Sequence, residues 1–254
     1  MSIRDRVQHA IDALQFQFDV FPALAYQPLP WLGLKKARRG IGTEARWAAI
    51  EATLHAEVID SAVDIGCNTG YFCFSLAAKG IPTLGVDRDD RSLRIAQYAA
   101  SQMRAQGVGF CKMDLTPDTI RLLPQADLVL LLSVWHHWVR GYGLEVASEM
   151  LTEVWKKSQK VLFFETGEIE MPADFGLAML KASPRQWLED YLYAMCADAH
   201  VMWLGTFKAF APQGDETQKV VYRNLLKITR RNEDTLAFLD DDVSVRSSLV
   251  EVRH

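Results

Sequence analysis

Residues 61–70 read Ser-Ala-Val-Asp-Ile-Gly-Cys-Asn-Thr-Gly, and a second short apolar run closes on Gly85-Val86-Asp87. Each run ends on an acid, and a glycine-rich turn lies between them. The same rhythm then continues along the chain. Short β-rich runs at 62–65, 83–86, 108–112, 128–133 and 161–164 alternate with helical stretches at 70–79, 90–105 and 143–157. Such alternation predicts βαβ units, and hence an α/β fold with a buried, mainly parallel sheet and helices on both faces. Leu128 to Leu132 is apolar at every position, as a central parallel strand requires.

Outside this block the pattern changes. Val7, Ile11 and Leu14 have helical spacing, and Phe21-Pro22 interrupts it. Tyr26-Gln27-Pro28-Leu29-Pro30 is proline-restricted and extended, and Lys35-Lys36-Ala37-Arg38-Arg39 is the densest positive cluster. Thr43 reads as an N-cap, with Trp47, Ile50 and Leu54 on one face of the helix that follows. Pro184 to Tyr193 reads as a helix. Val201–Phe210 and Lys219–Thr229 read as strands joined by Ala-Pro-Gln-Gly-Asp-Glu, a hairpin connection. The expected organisation is an N-terminal helical extension (1–58), a core domain (59–232) and a C-terminal tail (233–254).

With 254 residues, 49% hydrophobic and 24% charged, the chain is long enough for one large core. A formal net charge of −4 argues against a dedicated nucleic-acid binder. Met1 to Asp19 is studded with charge and lacks an apolar core segment, so a cytoplasmic protein without a secretory leader is expected. The longest apolar stretch, 128–135, is too short to span a bilayer. Cys67, Cys73, Cys111 and Cys196 form no Cys-x-x-Cys pair and are expected to be small buried residues, with no metal site.

The turn after the first strand selects its ligand by exclusion. Counted from Gly66, a dinucleotide fingerprint Gly-x-Gly-x-x-Gly would need glycine at Asn68 and at Tyr71. A phosphate loop fails too, since no Gly-Lys-Ser/Thr follows. Asp64 disfavours a pyrophosphate but suits a ligand ammonium. Asp64-Ile65-Gly66-Cys67-Asn68-Thr69-Gly70 resembles the first motif of the class I S-adenosylmethionine-dependent methyltransferases. The resemblance covers residues 60–165 well, with Asn68 at a position commonly glycine. It implies the Rossmann-like fold of that family, a seven-stranded sheet ending in an antiparallel hairpin, with S-adenosylmethionine as cofactor.

The resemblance also implies roles. Backbone near Gly66 and Cys67, with Asn68 and Gly70 in the same turn, would pack against the methionine and ribose portion. Asp87 would accept from both ribose hydroxyls; Arg88 and Asp89 read as solvent residues at a helix start, although the residue after that acid often lies over the adenine in this family. Asp114, with Leu115, would stand near the adenine amino group, and the loop from Ser133 to His137 would flank the methionine moiety and the acceptor.

For the acceptor side, His136 and His137 are candidate bases, with His136 slightly preferred; the plainer alternative is a helix cap and an aromatic-packed ring. Tyr71, Phe72 and Trp135 are candidates to shield a cation, and ordinary core packing is the alternative for each. Tyr26, Arg38, Arg39 and Glu165 are candidate substrate contacts, the arginines for a phosphate, sulfate or carboxylate. The expected function is methyl transfer to an oxygen or nitrogen of a small-molecule or glycan-type acceptor. The alternatives are an RNA (tRNA or rRNA) methyltransferase, or a non-catalytic adenosylmethionine-binding subunit. The RNA reading requires the basic N-terminal cluster to join Lys156, Lys157, Arg230 and Arg231 on one face.

Overall fold

The computed structural model describes residues 27–33, 40–55, 58–168, 171, 177–212 and 218–231. The Arg4–Leu14 helix, Tyr26, the Lys35–Arg39 cluster and the tail at 233–254 lie outside the described residues.

Seven strands form one sheet: β1 (Ala62–Ile65), β2 (Thr83–Asp87), β3 (Val108–Lys112), β4 (Ala126–Leu132), β5 (Ser158–Glu165), β6 (Ala199–Pro212) and β7 (Gln218–Arg230). Their spatial order is β3-β2-β1-β4-β5-β7-β6. The first five are parallel, while β7 runs antiparallel to β5 and β6 antiparallel to β7. The hairpin thus closes one side of a parallel sheet, as the family resemblance implies.

The two-residue period of a strand divides the core into two layers. Val63, Ile65, Val129, Leu131, Leu162, Phe164, Leu226 and Ile228 face one cluster. That layer is completed by α5 (Leu144–Lys157) and α7 (Pro184–Met195), through Met150, Leu151, Val154, Leu188 and Leu192. Ala62, Leu128, Leu130, Leu132, Val161, Phe163 and Leu225 face the other. Ile50 of α1 (Thr43–Leu54), together with Tyr71, Phe72 and Leu76 of α2 (Tyr71–Ala77), covers that side. Tyr71 and Phe72 are therefore core residues here.

Local rules explain the helix boundaries. α3 (Asp90–Met103) starts at Asp89, whose carboxylate accepts from the Ser92 N–H at 3.0 Å, and ends on left-handed Arg104 at φ 50°. α1 departs from expectation at its start. Gly42 is the N-cap at φ 80°, and Thr43 is the first helical residue with no capping bond. A Cβ at position 42 would collide with the Lys208 carbonyl of β6, so only glycine lets this helix start against the hairpin.

Two further short α-helices are α4 (Trp135–Tyr142) and α6 (Ala178–Ala182), and single 3-10 turns lie at Pro30–Leu32 and Ile120–Leu122. α4 replaces the loop expected at Ser133–His137. Trp135, Trp138 and Val139 are buried at helical spacing, and that burial holds the segment as a helix. Cys67, Cys73 and Cys196 are buried, and Cys111 is half-buried. Among the described residues no helix is long and apolar enough to cross a membrane.

Candidate active site

The chain runs outward from β1 through β2 to β3, then crosses back to β4 on the other side of β1. Neighbouring strands β1 and β4 therefore connect in opposite directions, and their carboxyl ends splay to leave a crevice, the usual ligand site of such sheets. Gly66 follows β1 and Ser133 follows β4. Both have positive φ, 74° and 62°. A cleft of about 360 Å³ opens there.

Seven of the expected cofactor residues line this cleft: Gly66, Asn68, Asp87, Arg88, Asp114, Leu115 and Ser133. Val134, within the loop expected to flank the methionine moiety, lines it too, and Met113, Trp138 and Tyr142 line it without having been foreseen. Asp87, the last residue of β2, is held rigidly. One carboxylate oxygen accepts from the Asn68 N–H at 2.8 Å, the other from the Asp89 N–H at 2.9 Å. Each oxygen keeps a second lone pair for a ligand hydroxyl. Asn68 adopts φ 50° and donates its amide to Ser92 Oγ at 3.1 Å. Its buried Oδ1 has no partner among the described residues. An unpaired buried acceptor beside an acid at a strand end fits a ligand rich in hydroxyls and amino groups.

Asp64, Cys67 and Gly70 do not line the cleft. Strand alternation turns Ile65 toward the ligand and Asp64 away from it. The Asp64 carboxyl is buried, accepts from Cys73 Sγ at 3.3 Å, and is pushed up to about 7, chiefly by burial and further by the nearby Asp87 charge. Cys67 and Cys73 pack with Leu93, Val108 and Phe110 beneath the turn. Gly70 caps α2 at φ 86°, where a Cβ would strike Phe74 and Phe110. For Gly66, a Cβ would strike the Val134 side chain. The glycine is thus required by the meeting of the two strand exits.

The paired histidines separate into two roles. His136 is 3% exposed and does not line the cleft. Its Nδ1 accepts from the Gly167 N–H at 3.0 Å, with Thr166 Oγ1 at 3.3 Å, so the ring proton sits on Nε2. Burial first, then the charges of His137, Arg223 and Arg140, hold it well below the ordinary range of histidine. It is a neutral strut under the exit of β5. His137, one residue on and about 100° around the helix, lines the cleft. Partial burial and the positive charges of Arg140, Arg88 and Arg223 lower its pKa too, which leaves the ring neutral at physiological pH. The preference for His136 therefore reverses on geometry. Trp135 is also directed elsewhere: it is fully buried, donates Nε1–H to Tyr191 at 3.0 Å, and packs against Phe164 and Trp187.

Glu165, at the end of β5, is completely buried in a polar cluster. Arg46 of α1 donates from Nη1 to both carboxylate oxygens, at 2.8 and 3.1 Å. Ser133 donates its hydroxyl to Oε1 at 2.5 Å and accepts from Arg223 Nη1 at 2.8 Å. Beside this cluster lies a second, smaller cavity of about 40 Å³. It shares Gly66, Leu132 and Ser133 with the large cleft and adds Gln27, Thr43, Arg46 and Arg223. Arg46 and Arg223 escaped the sequence reading. A signal existed for the second: Arg223 and Asn224 interrupt the apolar residues of a strand that pairs with β6 there and with β5 from Leu225 onward.

A family model described as a methyltransferase domain matches residues 63–162, from β1 to β5. Residues 63–162 carry a methyltransferase domain of the class I, S-adenosylmethionine-dependent kind. Among curated proteins this domain is similar to the O-antigen chain terminator bifunctional methyltransferase/kinase WbdD of Escherichia coli, at 27% identity over 129 residues. That alignment covers 50% of this chain and 18% of the relative, so the chain spans under a fifth of the relative's length. A solved structure of the same kinase-methyltransferase shares 20% identity and a TM-score of 0.56, covering 79% of this chain and 41% of that one. Magnesium protoporphyrin IX methyltransferase from Synechocystis PCC 6803, solved with bound SAH, gives 19% identity and a TM-score of 0.50. That match covers 74% of this chain and 84% of that one. At such identities the two structures speak for the fold alone, and they place this chain's methyltransferase core in a Rossmann-like sheet with a C-terminal hairpin.

Proposed function

We propose that this methyltransferase domain transfers a methyl group from S-adenosylmethionine to an oxygen or nitrogen of a small-molecule or glycan-type acceptor. The observation that carries the reading is the shared wall of the two cavities, where Gly66 and Ser133 separate a large cleft from a small polar one. Bound in the large cleft, the cofactor supplies an electrophilic methyl on a sulfonium sulfur. Asp87, fixed by two backbone N–H groups, orients a ribose through its remaining lone pairs. Met113, Leu115 and Trp138 exclude water along the slot. His137 Nδ1 or Nε2 takes a proton from an acceptor hydroxyl, as its neutral state allows. Glu165 and Arg223 fix the Ser133 hydroxyl at the junction, so the acceptor meets a preorganised wall.

That the curated relative is an O-antigen chain terminator supports a glycan-type acceptor. An RNA acceptor is less favoured. Lys156, Lys157, Arg230 and Arg231 lie at the start of β5 and the end of antiparallel β7, the sheet edge opposite the cleft. Arg230 is occupied there by the Trp155 and Ser158 carbonyls, and Lys156 by Glu153. A non-catalytic subunit is disfavoured because Gly66 and Asp87 are both in place. Incubation with methyl-labelled S-adenosylmethionine and separate panels of glycans, small metabolites and RNA tests the reading. Label in the first two panels is expected, and label confined to RNA would replace it with the RNA reading.

A further inference from the structure

The small cavity beside the cofactor cleft has a composition unlike the rest of the interior. Two guanidinium groups line it, those of Arg46 and Arg223, on residues that are only 9% and 4% exposed. No acidic residue lines it among the described residues. Glu165 is completely buried and anchors Arg46 and Ser133. Arg223 Nη1 lies 3.9 Å from the same carboxylate, so Glu165 faces both guanidinium groups from the side away from the cavity lining.

Arg46 shows which atom is presented. Its Nε donates to the Gly42 carbonyl at 3.2 Å and its Nη1 to Glu165, which fixes the plane of the guanidinium. Its Nη2 makes no hydrogen bond among the described residues. On the other side, the Arg223 guanidinium is held through Nη1 to Ser133 Oγ. The Ser133 proton is committed to Glu165, so the wall offers guanidinium donors rather than a hydroxyl. A volume of about 40 Å³ admits the oxygens of one carboxylate or phosphate group and is too small for a sugar ring. The planar fork of arginine matches both oxyanions.

We propose that this cavity holds an oxyanionic group of the acceptor, gripped by Arg46 and Arg223. The proposal rests on the methyl-transfer reading above and adds the acceptor's chemical class: a carboxylate or a phosphate ester. The anion is anchored across the Gly66–Ser133 wall from the cofactor, so the rest of the acceptor is aimed past Ser133 toward His137.

Calorimetric titration of inorganic phosphate, and separately of acetate, into the protein saturated with S-adenosylhomocysteine tests this at constant ionic strength. Saturable binding of at least one anion is expected. Arg223→Gln should weaken it about ten-fold or more, as loss of a charge-assisted contact requires. Ala209→Leu, which fills the same cavity without altering charge, should abolish it. Both variants should keep their affinity for S-adenosylhomocysteine within about two-fold. If Arg223→Gln does not fold, Ala209→Leu alone carries the comparison. Tighter phosphate assigns a phosphate ester, and tighter acetate assigns a carboxylate. No saturable signal from either anion in a protein that does bind S-adenosylhomocysteine overturns the proposal, as does binding unchanged by Ala209→Leu. Failure to bind S-adenosylhomocysteine at all would instead bring down the methyl-transfer reading beneath it.

Discussion

Asp87 carries the sharpest expectation at the scale of single residues, because its geometry is fixed before any ligand arrives. Asp87→Asn keeps one carbonyl acceptor but loses the charge and the second acceptor. A charged acceptor to hydroxyls contributes about 1.5–3 kcal/mol, so affinity for S-adenosylhomocysteine should fall roughly ten- to over a hundred-fold. Calorimetry on the folded variant checks it, and an unaltered dissociation constant would remove Asp87 from the ribose role. Asp64 gives a different kind of signature. Its folded-state pKa is about 7 against an ordinary 3.8. The unfolded chain therefore loses this proton first as pH rises, and the native protein keeps it until about 7. Its contribution to stability is fully present below the ordinary value and disappears as pH climbs through the folded one. Asp64→Asn lacks the penalty, so its advantage over the parent should grow by a few kcal/mol, in order of magnitude, across that window. Urea titrations at about pH 5 and about pH 8 measure it, and a difference independent of pH would contradict the burial argument. The placement of these residues shows what was legible and what was not. Asp87 and Gly66 could be found because motif spacing locates strand ends. Asp64 and His136 were each one position out of phase with the cleft: neighbours on a strand face opposite sides, and neighbours on a helix differ by about 100°. Phase of that kind is decided by the sheet's assembly, which no local pattern contains.

Among the elements, the parallel strands were the most legible, since continuous apolar runs such as Leu128–Leu132 have few other places to go. β3 coincides with the expected Val108–Lys112, and the hairpin strands extend only slightly past theirs. α4 was not legible because Trp135 to Trp138 mixes two indoles with two imidazoles, and its helical phase appears only when the buried side is known. α1 shows why elements far from the cofactor matter to the acceptor side. It delivers Arg46 to Glu165 on β5, and its first turn rests on the Lys208 carbonyl of β6 through Gly42. Gly42→Ala combines a disfavoured φ of 80° with a collision against that carbonyl. The helix should lift from the hairpin, at a cost of about 1–3 kcal/mol in stability. Arg46 should lose its register on Glu165, so acceptor KM should rise while cofactor affinity changes little. Urea denaturation and calorimetry on the same preparation check both halves, and a weakened cofactor with an intact acceptor KM would show that α1 serves the other cavity.

For the molecule as a whole, the deciding question is which nucleotide the switch point between β1 and β4 accepts, since both a dinucleotide and S-adenosylmethionine carry a ribose for Asp87. A pyrophosphate needs the backbone N–H groups at the start of the helix after β1 and glycines that let it approach. Here Tyr71 opens that helix, and its N–H is taken by Gln27 Oε1 at 3.1 Å. Asn68 stands where the second glycine would be, tied to Asp87 and Ser92. Beneath them, Asp64 adds negative potential when ionised, and Asp87 adds its own. The helix start is thus capped by the protein itself, and the cleft extends toward Ser133 and His137, where an amino-acid end would lie. Ligand that binds only the native state stabilises it by about 2.7 kcal/mol at a hundred times its dissociation constant. For a domain of this size each kcal/mol raises the melting temperature by about 2–4 °C. S-adenosylhomocysteine at that excess should therefore raise it by roughly 5–10 °C, while NAD at equal concentration should leave it unmoved. The Gln27→Ala variant refines the comparison. Removing the side chain that occupies the Tyr71 N–H should open that amide without creating the missing glycines, so NAD should still give no shift. An equal rise with NAD in the parent protein would mean that the capped helix start does not select the ligand, and the assignment of this cleft to S-adenosylmethionine would fall with it.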